Sequence, residues 1–318
     1  HFGDLTGEEV NESYRDLVDQ LLNLDDRVQF TLSSSLWYPE GIDILPEFVS
    51  AGEEYFDAGV NGMDLSDPNL ERVINQWIED QTNGRIKEVV DQIFSDVSMI
   101  LINAFHFNAR WKYEFQKGET YQGDFFPENG NVIQVEYMRV SGNFQYTSNE
   151  DFTAVELPYG DSTFSMVVMV PSGDNKVSDL VASLDETRWD SWFQNSYYTG
   201  VQVDLPKFEY KFKDRMRDPL SNLGLGVAVS KYTADFSGIS PESVMWLSNL
   251  IHQTYIDVNE EGIEAPAATI EEDYQSGSSP IYFKAYRPFF FVIRENSAGA
   301  IVIIGTVGNP NNILIAGL

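Results

Sequence analysis

The segment from Ser98 to Trp111 is apolar on both of its faces. A strand at a sheet edge or on a solvated face alternates apolar with polar residues, and one covered on both sides does not. The segment therefore predicts a buried central strand. A second segment adds motion to that frame. From Tyr255 it reads as a strand, with Ile256 and Val258 on one face and Asp257 and Asn259 on the other. It then passes through Gly262 into the small residues Ala265, Ala267, Ala268 and Thr269. An acidic, Gly/Ser-rich loop runs from Ile270 to Pro280, and a new apolar run starts at Ile281. A strand, a hinge of small residues and a long loop describe a segment that can move. Small side chains let such a segment join a packed sheet without overpacking it.

The remaining periodicities fill in a mixed α+β chain with large antiparallel sheets. Glu8 to Asn23 has helical spacing, with Val10, Tyr14, Leu17, Val18, Leu21 and Leu22 on one side. Phe30 to Tyr38 alternates as a strand and stops at Pro39. Pro46 to Asp57 and Asn69 to Thr82 read as amphipathic helices, and Val177 to Trp192 as a pair of short ones. Val201 to Phe212 alternates as one strand. Asp218 to Leu223 is a short helix stopped at Gly224. Phe289 to Arg294 and Ala300 to Val307 are strands joined by a turn at Asn296 to Gly299. No internal repeat or low-complexity tract interrupts this order.

Composition excludes several kinds of chemistry. The 318 residues are 42% hydrophobic, enough for a large core. Fifty acidic against 20 basic residues give a net charge of -30, a surface that repels nucleic acid and anionic membranes. No run has the apolar length of a membrane span. There is no cysteine, so disulfides and thiol catalysis are ruled out. The three histidines, His1, His106 and His252, have no metal-ligand spacing. Gly224-Leu225-Gly226 lacks the third glycine of a dinucleotide fingerprint and reads as a helix stop. No carboxylate pair stands out for glycosidase chemistry.

Motifs in a fixed order point elsewhere. Glu260-Glu261-Gly262 followed by alanines resembles the proximal hinge of the reactive-centre loop of the serpin family. Leu101-Ile102-Asn103-Ala104-Phe105 through Arg110-Trp111 is similar to that family's central strand and its breach tryptophan. Asn75-Gln76-Trp77 with Thr82-Asn83-Gly84-Arg85-Ile86, Leu205-Pro206-Lys207-Phe208, Asp235-Phe236-Ser237-Gly238 and Arg287-Pro288-Phe289 through Asn309-Pro310 match further signatures. The resemblance spans nearly the whole chain. It implies a single serpin domain over 1–318, with a large, mostly antiparallel main sheet and two further sheets. Surrounding helices and an exposed loop at about 260–281 complete the expected architecture. His1-Phe2-Gly3-Asp4 resembles the middle of a serpin. The family's N-terminal helices, one of which packs beneath the main sheet, therefore have no counterpart here.

The same resemblance assigns residues. It implies a hinge at Glu260, Glu261, Gly262, Ile263, Glu264, Ala265, Pro266, Ala267 and Ala268. Asn103 and His252 become a shutter pair bridging neighbouring strands, although His252 also reads as an ordinary hydrogen-bonded core histidine. Lys207, Glu260 and Trp111 form the breach at the top of the sheet, where an exposed Lys207–Glu260 pair contributes under about 1 kcal/mol. Trp111 equally fits an ordinary core tryptophan. No catalytic group, metal or cofactor is implied. The helix from Glu8 to Asn23 carries Arg15 alone among several acids, so activation by heparin-type polyanions is not expected.

The partner that the resemblance implies is a target protease with a serine or cysteine nucleophile. That protease would be held as an acyl-enzyme when the cut loop inserts into the main sheet. The implied inhibitor is a secreted, extracellular monomer. On insertion Ile263, Ala265, Ala267 and Thr269 share the inward face, while Glu264, Pro266, Ala268 and Ile270 share the other. Ile263 is bulky where the family's inhibitors carry threonine or serine, and Pro266 lacks an amide donor. Both features keep open a non-inhibitory serpin that is cleaved as a substrate or acts as a binding or chaperone protein. Counting from Gly262 places the scissile bond after Ser276, and counting back from Pro288 places it after Gly277. Either small residue suits an elastase-like or subtilisin-like protease, whereas Tyr274 would suit a chymotrypsin-like one. No Lys or Arg lies between Gly262 and Pro280, which excludes a trypsin-like target.

Overall fold

Met99–Ala109 forms the middle strand of a five-stranded sheet, as its two apolar faces require. A computed structural model describes residues 4–94, 96–192, 194–241, 244–260 and 279–312. The first half of the chain gives α1 (Gly7–Leu22), β1 (Val28–Pro39), α2 (Pro46–Phe56), β2 (Ala58–Met63), α3 (Leu70–Gln81) and β3 (Met99–Ala109). Then come β4 (Tyr121–Phe125), β5 (Ile133–Ser148), β6 (Phe152–Tyr159), β7 (Phe164–Pro171), α4 (Val177–Ala182) and α5 (Glu186–Trp192). The rest comprises β8 (Tyr197–Pro206), β9 (Phe208–Arg215), α6 (Arg217–Leu220), β10 (Leu247–Val258), β11 (Ile281–Lys284), β12 (Phe289–Glu295) and β13 (Ile301–Val307).

The main sheet has the order β2–β1–β3–β10–β9. It is mixed, where a mostly antiparallel sheet was expected: β1–β2 and β3–β10 are parallel. Each parallel pair is joined by a crossover, through α2 in the first case and, in the other, through a long connection that includes β4 to β8 of the second sheet. That second sheet is continuous, with eight strands, because the 16-residue β5 runs through both of the further sheets foreseen as separate. The single strand expected over Val201 to Phe212 is divided between the two sheets. Pro206 ends β8 without a ladder donor, and Lys207 N–H goes to the Glu136 carbonyl while the chain crosses over.

Two cores follow from the alternation along β3. Ile100, Ile102 and Ala104 face α3 and join Ile74, Ile78, Ile86, Val89 and Ile251. Phe107 and Ala109 face the second sheet, among Phe208, Phe289 and Phe291. The connection after α3 is strapped over the main sheet. Asn75 Oδ1 accepts from Val89 N–H and Val90 N–H, its Nδ2 donates to the Val90 carbonyl, and Asp91 meets Lys213 of β9 at 2.7 Å. The first helix is fixed by a capping box, in which Thr6 Oγ1 accepts from Glu9 N–H and the Glu9 carboxylate accepts from Thr6 N–H.

Candidate functional site

Among the described residues, Asn103, His252, Trp111, Lys207 and Glu260 cluster along the seam between β3 and β10 and at its upper end. Their parallel register sets Asn103 beside His252 and His106 beside Tyr255. Above the seam β10 ends at Val258, and the hinge begins. Glu260 is described. Glu261 to Ala268, Tyr274, Ser276 and Gly277 lie outside the described residues.

At the top of the seam, Trp111 is buried and stacks on Tyr159, with centroids 4.2 Å apart and planes at 17°. Phe115 meets it edge-on at 5.4 Å. The indole Nε1–H donates to the Asn259 carbonyl at 2.9 Å, tying the end of the central strand to the start of the hinge. Next to it, Lys207 Nζ lies 2.7 Å from Glu260 Oε1, which also accepts from Thr120 Oγ1 at 2.5 Å. Glu136 stands on the other side of Lys207 at 3.7 Å.

The sequence suggested an exposed pair, but only 8% of the Glu260 side chain is exposed. Burial alone pushes the Glu260 carboxyl up; the hydrogen bonds from Lys207 and Thr120 outweigh it and hold the group below its usual range. Burial pushes Lys207 down, and its carboxylate partners more than restore it, so its pKa is raised. A carboxyl with a lowered folded pKa stabilises the native state above its unfolded value, and the benefit is lost as pH falls through the folded value. Glu260→Gln is therefore expected to cost about 1–2 kcal/mol at pH 7. The difference from wild type should shrink below about pH 4, as followed by denaturant unfolding across pH.

Asn103 and His252 are register neighbours, yet no hydrogen bond joins them. Asn103 Nδ2 donates to Ser34 Oγ of β1 at 3.1 Å, and His252 Nε2 lies 3.0 Å from Thr254 Oγ1 on its own strand. Each side chain is paired with a hydroxyl instead: Ser34 stands opposite in the antiparallel register, and Thr254 two residues along the same face. Both line a groove of about 630 Å³ beneath the seam, walled by Leu17, Phe30, Tyr210 and Ile303. Burial lowers the His252 pKa and keeps the ring neutral at ordinary pH.

Two further groups escaped the sequence reading. On the α3 face of the seam, the His106 and Tyr255 rings stack at 5.4 Å. The signal was available: His106 is three residues from Asn103, so it belongs to the opposite face of the strand. The second group lies where the chain re-enters the fold. Asp204 of β8 is fully buried and takes Arg139 of β5 in a two-pronged pair, at 2.7 and 2.8 Å. It also accepts from Tyr121 of β4 and Tyr282 of β11, each at 2.5 Å. No spacing motif announces this group, because its members come from four strands.

A family model described as Serpin (serine protease inhibitor) matches residues 1–310. The chain is 32% identical over 300 residues to an uncharacterized serpin-like protein of Methanosarcina acetivorans, covering 92% of this chain and 70% of that one. Among solved structures it is similar to the thermophilic serpin tengpin in its native state, with a TM-score of 0.85 and 28% identity. That likeness covers 96% of this chain and 80% of the other. It is also similar to uncleaved ovalbumin, with a TM-score of 0.87 and 27% identity, over 97% and 84% of the two chains.

Proposed function

The chain belongs to the serpin family, and from that premise we propose that it inhibits an endopeptidase by covalent trapping. One observation carries this reading. The loop leaves the top of β10 and returns at β11, and β10 and β3 lie side by side in parallel. A strand that turns back after Glu260 runs antiparallel to both neighbours. It replaces one parallel pairing by two antiparallel ones, a net gain of ladder hydrogen bonds. The free energy of that gain is what a serpin uses; the protein supplies no catalytic group.

The loop offers its peptide bond after Ser276 or Gly277 to an elastase-like or subtilisin-like protease. The protease nucleophile attacks that carbonyl, the amine side departs, and the acyl-enzyme is carried along as the hinge enters the seam. Trapping requires insertion to outrun deacylation. Ala265, Ala267 and Thr269 fit an inward face of limited depth. Ile263 and Pro266 slow the first step, and they favour the second reading, a non-inhibitory serpin that is cleaved as a substrate or acts as a binding protein.

Incubation with an elastase-like and a subtilisin-like protease, followed by denaturing electrophoresis, separates the two. A covalent complex stable to denaturant is expected, together with a rise in melting temperature of the cut form. Cleavage without a complex would establish the substrate reading.

A further inference from the structure

Every side-chain contact that crosses from β3 to β10 is broken if a strand enters between them, whereas contacts made within one side survive. The residues that span the seam therefore set how readily it opens. No hydrogen bond joins Asn103 to His252, whereas the His106 and Tyr255 rings stack across the seam. Their rings lie 5.4 Å apart with planes at 19°, on the face covered by α3. His106 is buried. Its charged surroundings are Arg85 from the connection after α3 and, beyond the Tyr255 ring, Lys211 and Glu209 of β9 with Asp257 of β10. Thr31, opposite on β1, carries no charge.

We propose that the His106–Tyr255 stack is a rivet across the seam, positioning β3 against β10 and limiting the rate at which a strand can enter. This rests on the insertion reading given above. Neighbouring strands lie about 4.8 Å apart, so an incoming strand moves β3 and β10 to about twice that spacing. Aromatic pairs hold only to centroid separations of about 7 Å, so the stack is lost. It stabilises the closed sheet and contributes nothing to the expanded one. Stacking of this kind corresponds to a change in opening rate of roughly 2- to 12-fold.

Protonation modulates the rivet. Burial, followed by the nearby Arg85 charge, lowers the His106 pKa to about 4, so the stacked ring is neutral at ordinary pH. A histidine with a depressed folded pKa stabilises fully above its unfolded value of about 6.5, and that contribution drains away between about 6.5 and 4. Acid should loosen this face of the seam.

The test uses the full chain and a synthetic peptide spanning residues 261–274, with uptake followed by native electrophoresis and melting temperature. His106→Ala should take up the peptide up to about tenfold faster than wild type. It should lower the melting temperature of the uncut protein and leave that of the loop-cut form unchanged. His106→Phe keeps a ring in place and should restore both, and Tyr255→Leu should reproduce the alanine variant from the other side. Lowering the pH from 6.5 towards 4 should speed uptake in wild type more than in His106→Phe. Equal losses in the uncut and cut forms would mark an ordinary core residue and overturn the proposal, as would unchanged uptake by both His106→Ala and Tyr255→Leu. A wild type that neither takes up peptide nor gains stability on cleavage would overturn the insertion reading, and the rivet with it.

Discussion

Asp204→Ala is expected to lower the stability of the native protein by about 3 kcal/mol and to release the strand on which the loop lands. Asp204 is fully buried and accepts four hydrogen bonds, two from Arg139 and one each from Tyr121 and Tyr282. Removing the carboxylate strands a guanidinium that is 30% exposed, so water recovers part of the loss. The two tyrosine hydroxyls also lose their acceptor. The effect should concentrate in β11, which has four residues and, among the described strands, pairs with β8 alone. It is held there by a short ladder, by buried Phe283 and by the Tyr282 hydroxyl. Hydrogen exchange of the amides from Tyr282 to Ala285 should accelerate far more in Asp204→Ala than in the strands of the main sheet. Tyr282→Phe removes one hydrogen bond and should cost about 1 kcal/mol. Burial pushes the Asp204 carboxyl up, but Arg139 and the two tyrosines outweigh it and lower its pKa. Its contribution should therefore be complete at neutral pH and be lost below about pH 4. Uniform exchange across all strands in Asp204→Ala would contradict a local role at β11.

β3 was legible in the sequence because burial on both faces leaves its own pattern, and α1 and α3 because a 3.6-residue period survives any tertiary context. β2 was not: Ala-Gly-Val-Asn-Gly-Met carries no alternation, and it becomes a strand only because β1 offers a parallel edge. The break between β8 and β9 was hidden because alternation runs straight through Pro206, and only the partners on either side differ. In the site, Trp111, Lys207 and Glu260 could be read because each sits in a local motif. The Lys207–Glu260 contact is stronger than an exposed pair because Thr120, distant in sequence, closes over it. The hydroxyls of Ser34 and Thr254, which divert Asn103 and His252, belong to no motif. The same is true of the Asp204 group, whose four strands meet only once the second sheet has formed. What escaped the sequence is long-range side-chain pairing, which local periodicity does not encode.

Trp111→Ala should have the largest effect of any single change at the top of the seam. Deleting a buried tryptophan side chain costs about 3–5 kcal/mol through lost transfer energy and the cavity left behind. Here the void would open between Tyr159 and Phe115, both buried and both packed on the indole. Tyr159 is fixed at the end of β6 and Phe115 is buried, so the surroundings can collapse into such a void only slightly, which argues for the upper part of the range. At this chain length the loss should appear as a fall in melting temperature on the order of 10 °C. A separate consequence concerns the hinge. The indole N–H holds the Asn259 carbonyl, one residue before Glu260. Trp111→Phe keeps an aromatic face against Tyr159 but removes that donor, so it should recover most of the stability while losing the indole bond to the carbonyl. The two variants then divide the role of Trp111 in a measurable way. Global unfolding by denaturant should be severely affected in Trp111→Ala and mildly in Trp111→Phe, whereas exchange of the amides around Asn259 should quicken in both. A hinge that exchanges at the wild-type rate in Trp111→Phe would show that packing alone explains the residue. A hinge that quickens there would make the indole hydrogen bond the point at which the central strand restrains the loop.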